Sequence, residues 1–574
     1  MWCQSAASMP PPSSMRSGSL REHWPACVLL TLVCLAVYLP GLTTIPPVDR
    51  DEPRFAQATK QMLETGDFIR PHLQTENRFN KPIGIYWLQA AAVSITGQQR
   101  GSAIWAYRLP SVFGAYAAVL LTYWIGCRLF NRSVALLGAA LLASSALLIV
   151  EAHLATTDAT LLACVVAAQG CVASLYGAAQ RGDSGRARHA AGFWLAQGFG
   201  ILIKGPVVPL VSGLTLGALV LVDRRATTRM LAGLRAVWGV PLVLLPVLPW
   251  MIAVGYATDW VFYRDWVGDV LPKITGGQEL HGAPPGTYLL LLAATFWPAS
   301  FAVGLGIAHG VGHRQRAAER FCLAWLIPTW IFFELMPTKL PHYVLPTYPA
   351  LALLVACAVV EPPASLSTGV RANLVRSGFV LWGVLTLTAG VAVVAGAISL
   401  GRGVDVPVAS AGLAAALIAI VCVQLCWTGQ LVRAAWVAVA GSVALFVPVL
   451  QWVLPDLQAV WLSPAAAAAI AQQTSRVDGT RPVVAVGYCE PSLIFLAGGN
   501  MALVEPTRAV TFLMERRDGL ALVSDDQQAA FTRVASEMGV GVRDVWSVDG
   551  VNYSKGQRTQ LHLFEQLQPA DSLR

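Results

Sequence analysis

The stretch Ala26–Gly41, "ACVLLTLVCLAVYLPG", carries no charged side chain and reads as a membrane span. Soon after it comes Val48–Gln57, "VDRDEPRFAQ", with two Asp, one Glu and two Arg in ten residues. Apolar runs of the first kind recur down to Ala434–Val453, each near the roughly 17–25 residues that cross a bilayer. About thirteen can be counted on that length criterion, with centres at Cys34, Ala118, Leu142, Val166, Phe199, Leu214, Leu244, Leu292, Ile327, Ala352, Leu387, Ala416 and Leu445. The composition agrees: 55% of the 574 residues are hydrophobic and 13% are charged, against roughly 25% charged in a soluble domain.

Arginine placement sets the orientation. With Arg16 and Arg21 cytoplasmic, every second connection is also basic: Arg128/Arg132, Arg181/Arg186/Arg188, Arg224/Arg225/Arg229/Arg235, Arg314/Arg316/Arg320, Arg371/Arg376 and Arg433. The net charge of +8 is then a topology signal, and no nucleic-acid partner is expected. An odd span count places the chain after Pro455 on the outer, periplasmic face. No small-residue cleavage site follows the first apolar run, so an uncleaved first span is expected. The 11 cysteines form no CxxC or Cys/His metal pattern, and Cys489 alone falls in the outer tail, so no disulfide is expected there.

The expected organisation is a cytoplasmic tail (1–25), an all-α membrane bundle (26–454) with long outer loops at 43–108 and 256–285, and an outer domain (455–574). In the first loop, Phe55, Ala58, Met62 and Leu63 fall on one helical face, which suggests helices on the membrane surface. In the second, Trp260, Phe262, Tyr263 and Trp266 suit an interfacial aromatic belt. After Pro455, "RPVVAVGY", "ALVEP", "LALVSDD" and "VRDVWSVD" alternate with helix-like segments, as in a small α/β domain with a largely parallel sheet. No glycine-rich phosphate fingerprint precedes its helices, so catalysis is not expected there.

Six lysines occur in the chain, all on the outer face of this topology. Lys81 in "RFNKPIGIYW", Lys204 in "LIKGPVVP" and Lys339 in "MPTKLPHYVLP" share a setting: short segments punctuated by Pro or Gly at the membrane boundary. There a lysine can meet a phosphate at headgroup depth; snorkelling to lipid phosphate is the plainer account of any one of them. Asp158, in "EAHLATTDATL", is an ionisable group beside a span, costly unless it faces protein or water. Complementing a helix dipole is its alternative role. Asp49, Asp51 and Glu52 beside Arg54 add an acid next to this cationic set, the pairing that transfer from a lipid-phosphate donor requires. A charge cluster capping a surface helix is the alternative, and spacing does not choose among the three acids.

The stretch Asp49–Trp87, "DRDEPRFAQATKQMLETGDFIRPHLQTENRFNKPIGIYW", resembles the first periplasmic loop of the aminoarabinose transferases that modify lipid A. It is also similar to the wider polyprenyl-phosphate glycosyltransferases that include protein O-mannosyltransferases. The likeness lies in the acid pair, Arg54, the turn at Gly66–Asp67, "PHL", and Lys81–Pro82 leading to Tyr86–Trp87. It continues through Asp158, Lys204–Gly205 and "TKLPHYVLPTYPALALL". The resemblance implies a GT-C fold, a polyprenyl-phosphate sugar donor and an inverting displacement that releases polyprenyl phosphate. Lipid A, lipopolysaccharide or another envelope glycan is the implied acceptor, at the periplasmic face of a bacterial inner membrane. It implies Asp51 as the loop acid, Asp158 as the second acid, and Arg54, Lys81, Lys204 and Lys339 as phosphate contacts. Glu52, Phe55, Asn80, Tyr86, Arg264 and Tyr343 are substrate-cavity candidates. Phe55 stands where the aminoarabinose enzymes usually have Tyr. Asn80 replaces a usual Glu and removes a carboxylate that can contribute to a metal site, so a bound divalent metal is not carried over. Two other readings remain at this point: protein or other envelope-glycan glycosylation with the same donor, and transport of a lipid-linked sugar. Against transport, no internal repeat or matching pair of broken spans is visible.

Overall fold

A computed structural model describes residues 20–567 except 80, 99–100, 184, 276–282, 363–369, 476–480 and 500. The chain opens with α1 (Leu20–Tyr38), then builds its first outer loop from α2 (Asp51–Thr65), the two-stranded β1 (His72–Leu73) and β2 (Glu76–Asn77), and α3 (Gly84–Ile95). The membrane helices follow: α4 (Ile104–Leu129), α5 (Arg132–Ala143), α6 (Ala146–Ala152), α7 (Asp158–Gln180), α8 (Ala187–Lys204), α9 (Val207–Val222), α10 (Arg224–Gly233) and α11 (Ala236–Ala257). The second outer loop contributes α12 (Val261–Thr275); α13 (Thr287–Thr295), α14 (Val303–Gly312), α15 (Ala317–Leu335), α16 (Tyr348–Val360), α17 (Val370–Ser399), α18 (Val406–Trp427) and α19 (Leu431–Pro448) complete the bundle.

All thirteen centres read from the sequence fall inside helices: α1, α4, α5, α7–α9, α11, α13 and α15–α19. Among the described residues, seven helices are long and apolar enough to cross a membrane, or eight if α5 and α6, bent by 60°, form one span. The chain is therefore a multi-pass membrane protein. Burial separates centre from periphery: α7 is 72% buried over its apolar window, whereas α11 is 22% buried there and turns its leucines and valines outward. Small residues let the central helices approach closely. A Cβ on Gly114 of α4 would lie 2.6 Å from the Cα of Thr160 on α7. Local chemistry sets the ends: the side chains of Asn131 and Asp405 accept hydrogen bonds from the N–H groups of Val134 and Val408, capping α5 and α18.

The outer domain holds α20 (Leu462–Thr474), β3 (Val483–Val486), α21 (Pro491–Ala497), β4 (Ala502–Leu503), α22 (Pro506–Glu515), β5 (Leu520–Ser524), α23 (Asp525–Glu537), β6 (Val542–Asn552) and β7 (Gln557–Gln566). Its sheet runs β4-β3-β5-β7-β6. The alternation of strand residues serves two cores: Ala485, Leu520, Leu522 and Leu563 face α20 and α21, while Val484, Val486, Ala521 and Val523 face α22 and α23. The largely parallel expectation is corrected: β4-β3-β5 is parallel, but β7 pairs antiparallel with both β5 and β6. A turn at Asn552–Gln557 folds the last two strands into a hairpin, which needs no crossover helix.

Candidate active site

Two cavities of about 200 Å³ each meet at the end of the bundle that carries loop 43–108. One is an apolar groove walled by Leu161, Val207, Leu210, Trp266, Phe332 and Phe333. The other is a polar chamber walled by Asp49, Asp51, Glu52, Phe55, Glu151 and Thr157. Lys81, Asp158, Lys204, His342 and Tyr343 line both. An amphiphile with its chain in the groove would thus set its polar head against this shared wall.

The wall is built from helix ends. Asp158 opens α7, Lys204 closes α8, and the Lys204 ammonium donates to the Asp158 Oδ1 at 2.6 Å. Gly205 follows at φ +65°, ψ −139°, a conformation open to glycine, and it turns the chain from α8 into α9. His342 stands between two acids: its Nδ1 is 3.4 Å from Glu151 Oε1 and its Nε2 is 3.8 Å from Asp158 Oδ1. Thr156 donates to Glu151 at 3.2 Å, and Thr157 to Asp158 at 3.2 Å. Lys204 also lies 5.7 Å over the ring of Tyr343.

The sequence candidates divide on this geometry. Asp51, first residue of α2, lines the chamber with a well-exposed carboxylate, 3.8 Å from Arg54. Arg54 reaches Asp51 but is absent from the lining of both cavities. Glu52 faces the chamber wall but is spent on structure: its two oxygens take paired hydrogen bonds from Arg108 at 2.8 and 2.9 Å, and the N–H groups of Ala155 and Val48. Phe55 lines the chamber and packs on Tyr86, whose hydroxyl accepts from Arg78. Lys339 is directed elsewhere. Its ammonium donates to the carbonyls of Glu334 and Met336 at 2.6 and 2.7 Å, closing the end of α15. Arg264 is exposed beside Asp265 and lines neither cavity. Asn80 lies outside the described residues.

Arg108, His342 and Trp266, which sequence reasoning left out of the site, hold it together or line it, and Asp49, one of the three acids offered there, anchors the loop. Arg108, fully buried, also donates to the carbonyls of Leu42, Ile45 and Pro46 and so fixes the entry to α2. His342 carried a usable signal, sitting inside a quoted motif between Lys339 and Tyr343. Asp49 accepts from the N–H and hydroxyl of Ser492 at 2.9 and 2.7 Å, and donates its own N–H to the Tyr553 hydroxyl at 2.8 Å. The outer domain thereby grips the chain two residues before Asp51. Burial pushes the Asp49 carboxyl up to about 6, against the Ser492 hydrogen bonds that favour its charged form. Trp266 of α12 walls the groove, so the second outer loop contributes more than an aromatic belt.

Glu151, Asp158 and His342 bring donor atoms within 4.8 Å of one another, a set able to hold a metal ion. Asp158 already carries the Lys204 ammonium, which a metal would have to displace.

The fold recurs in solved structures. The chain superposes on ArnT from Cupriavidus metallidurans, crystallised with undecaprenyl phosphate, with a TM-score of 0.71 over 93% of this chain and 97% of that one, at 19% identity. The chain has the fold of ArnT, the GT-C fold. Likeness to the archaeal oligosaccharyltransferase AglB from Archaeoglobus fulgidus is looser, with a TM-score of 0.51 at 12% identity, over 91% of this chain and 69% of that one. In sequence, residues 80–250 match the family model described as dolichyl-phosphate-mannose-protein mannosyltransferase. Undecaprenyl phosphate-alpha-4-amino-4-deoxy-L-arabinose arabinosyl transferases are 29% identical over 389 residues in Pectobacterium carotovorum, covering 66% of each chain. In Pseudomonas aeruginosa the figure is 31% over 341 residues, covering 58% of this chain and 60% of that one. The chain thus spans about two thirds of the length of the curated relatives it matches. The ArnT-like resemblance first seen in the outer loop extends through the fold.

Proposed function

We propose that this protein is an inner-membrane glycosyltransferase that moves aminoarabinose, or a closely related sugar, from a polyprenyl-phosphate donor to lipid A or lipopolysaccharide on the periplasmic face. The observation that carries the reading is the shared wall. A cationic and hydrogen-bonding set, Lys81, Lys204, His342 and Tyr343, stands where an apolar groove meets an acid-lined chamber. The names of the sequence relatives and the undecaprenyl phosphate bound in the ArnT crystal supply the donor class.

In this mechanism the isoprenoid chain lies in the groove and its phosphate meets Lys81 and Lys204, which stabilise the charge that develops as the sugar–phosphate bond breaks. The acceptor oxygen approaches the anomeric carbon from the chamber. The new C–O bond forms as the old one breaks, the configuration inverts, and the bonding electrons leave with the phosphate. Asp51, the exposed acid of the chamber, takes the proton of a hydroxyl acceptor or orients a phosphate acceptor that is already anionic. Asp158 and Glu151 hold Lys204 and His342 in place. The test is transfer by purified protein: Asp51→Asn is expected to reduce it by about 10²-fold or more, and full activity in that variant would remove Asp51 from the chemistry.

The family model favours a second reading, a protein acceptor with the same donor. Radiolabelled donor separates the two, since label would appear in extractable lipid for the first reading and in protein for the second.

A further inference from the structure

The end of the bundle away from the chamber gathers donors that the transfer chemistry does not use. Glu319 stands in the first turn of α15 and Phe333, which lines the groove, in its last, about 21 Å apart at 1.5 Å rise per residue. Around Glu319 three helices converge, bringing together His309 of α14, Glu319 of α15 and Cys357 of α16, all buried. Their donor atoms lie within 4.8 Å of one another. The His309 Nε2 is 3.3 Å from the Cys357 Sγ and 3.7 Å from the Glu319 Oε1.

Those spacings are near the edges of a metal tetrahedron. Zinc bonds of about 2.0–2.1 Å to nitrogen, 2.3 Å to sulfur and 2.0–2.2 Å to a carboxylate oxygen imply N–S and N–O edges of about 3.6 and 3.4 Å. We propose that His309, Glu319 and Cys357 form a binding site for a soft divalent transition metal, zinc above all, that pins α14, α15 and α16 together.

Charge and chemistry support the site. A thiolate and a carboxylate neutralise a divalent ion completely, so the loaded cluster is a neutral object in an apolar setting. Thiolate with imidazole selects zinc over magnesium or calcium, which take oxygen ligands. An ion pair of protonated His309 with Glu319 is the competing arrangement. It would bury a charged ring whose Nδ1 has no hydrogen-bond partner, the costlier way to leave that atom unsatisfied. Arg316 lies 3.5 Å from Glu319 and 3.6 Å from Glu361, with its side chain half exposed, so Glu361 can retain it when a metal takes Glu319. The His313 ring lies tilted against that of His309, with centroids 4.3 Å apart, and bonds the His309 carbonyl through its Nδ1. The fourth coordination position is left to water.

The test is cobalt substitution of the full-length protein in detergent, with Co²⁺ as the probe. A thiolate-to-cobalt charge-transfer band at one ion per chain is expected. Cys357→Ser should abolish it, and His309→Gln, which keeps the thiol, should weaken Co²⁺ binding by tenfold or more. Zinc should compete the band away and raise the Tm of the parent but of neither variant. Absence of the band in the parent, or its survival in Cys357→Ser, overturns the proposal. The readout does not depend on transfer activity, so it stands or falls apart from the proposed function.

Discussion

At the scale of single residues, the Lys204–Asp158 pair poses the sharpest question, because a buried ion pair can be structural, functional or both. Breaking one by removing a single partner strands a buried charge, at about 3–5 kcal/mol. Asp158→Asn and Lys204→Met are each expected to lower stability by an amount of that order. The double substitution should recover much of it while leaving transfer absent, because the phosphate has lost its cation. Thermal unfolding and transfer assays on all three variants measure the two outcomes separately. Asp49 supports a pH prediction. Its carboxyl titrates at about 6 in the folded chain against the ordinary 3.8, so the gripped state holds the proton more tightly than the released one. The resulting stabilisation is full below pH 3.8 and is lost as the pH rises through 6. It amounts to at most about 3 kcal/mol, less for the residue's remaining contact with solvent. Comparing Tm at pH 4.5 and 7 should show a fall in the parent and a smaller one in Asp49→Asn.

At the scale of elements, α3 and α8 touch through glycine. A Cβ on Gly84 would stand 2.7 Å from the carbonyl oxygen of Leu202, two residues before Lys204. Backbone cannot yield as a side-chain tip can, so Gly84→Ala should cost about 1–3 kcal/mol. It should also displace the chain that carries Lys81 and reduce transfer, seen as a lower Tm together with weaker donor binding. This contact was not legible in the sequence, where Gly84 is one glycine among fifty. The helices themselves were legible, because bilayer length and lack of charge mark them one by one. The β6–β7 hairpin was read only in half, since "VRDVWSVD" has strand character but its pairing with the closing segment is non-local. The site divides for the same reason. Asp158, Lys81 and Lys204 stand out as charges beside spans. Which atoms a charge reaches is decided by folding: Lys339 closes α15, Glu52 meets Arg108 across 56 positions, and three separate helices supply His309, Glu319 and Cys357.

At the scale of the whole molecule, the outer domain is fastened to the loop that carries Asp51, and its hydrogen bonds fall on both sides of that acid. Before it, Ser492 and Tyr553 hold Asp49, and Arg50 donates to the carbonyl of Ser554. After it, Gln74 donates to the carbonyls of Gly499 and Met501, and Ser102 to that of Phe495. Loop 43–108 and the domain after Pro455 read as separate units in sequence, because their contacts join residues more than 390 positions apart. Position matters more to an acid that must meet a reacting oxygen than to one that only stabilises a fold, since a misplacement of about 1 Å can cost 10²-fold in rate. Ser492→Ala with Tyr553→Phe removes the hydrogen bond of the Ser492 hydroxyl and both of those of the Tyr553 hydroxyl to Asp49, keeps the Ser492 N–H bond, and leaves the lining of both cavities untouched. The double variant is expected to lower kcat by tenfold or more while the KM for the polyprenyl donor changes little, because groove and lysines remain in place. Steady-state kinetics at saturating acceptor would read the split. An unchanged kcat would mean that Glu52 and Arg108 alone hold Asp51 in position, whereas a rise in donor KM with kcat intact would mean that the outer domain acts on the groove.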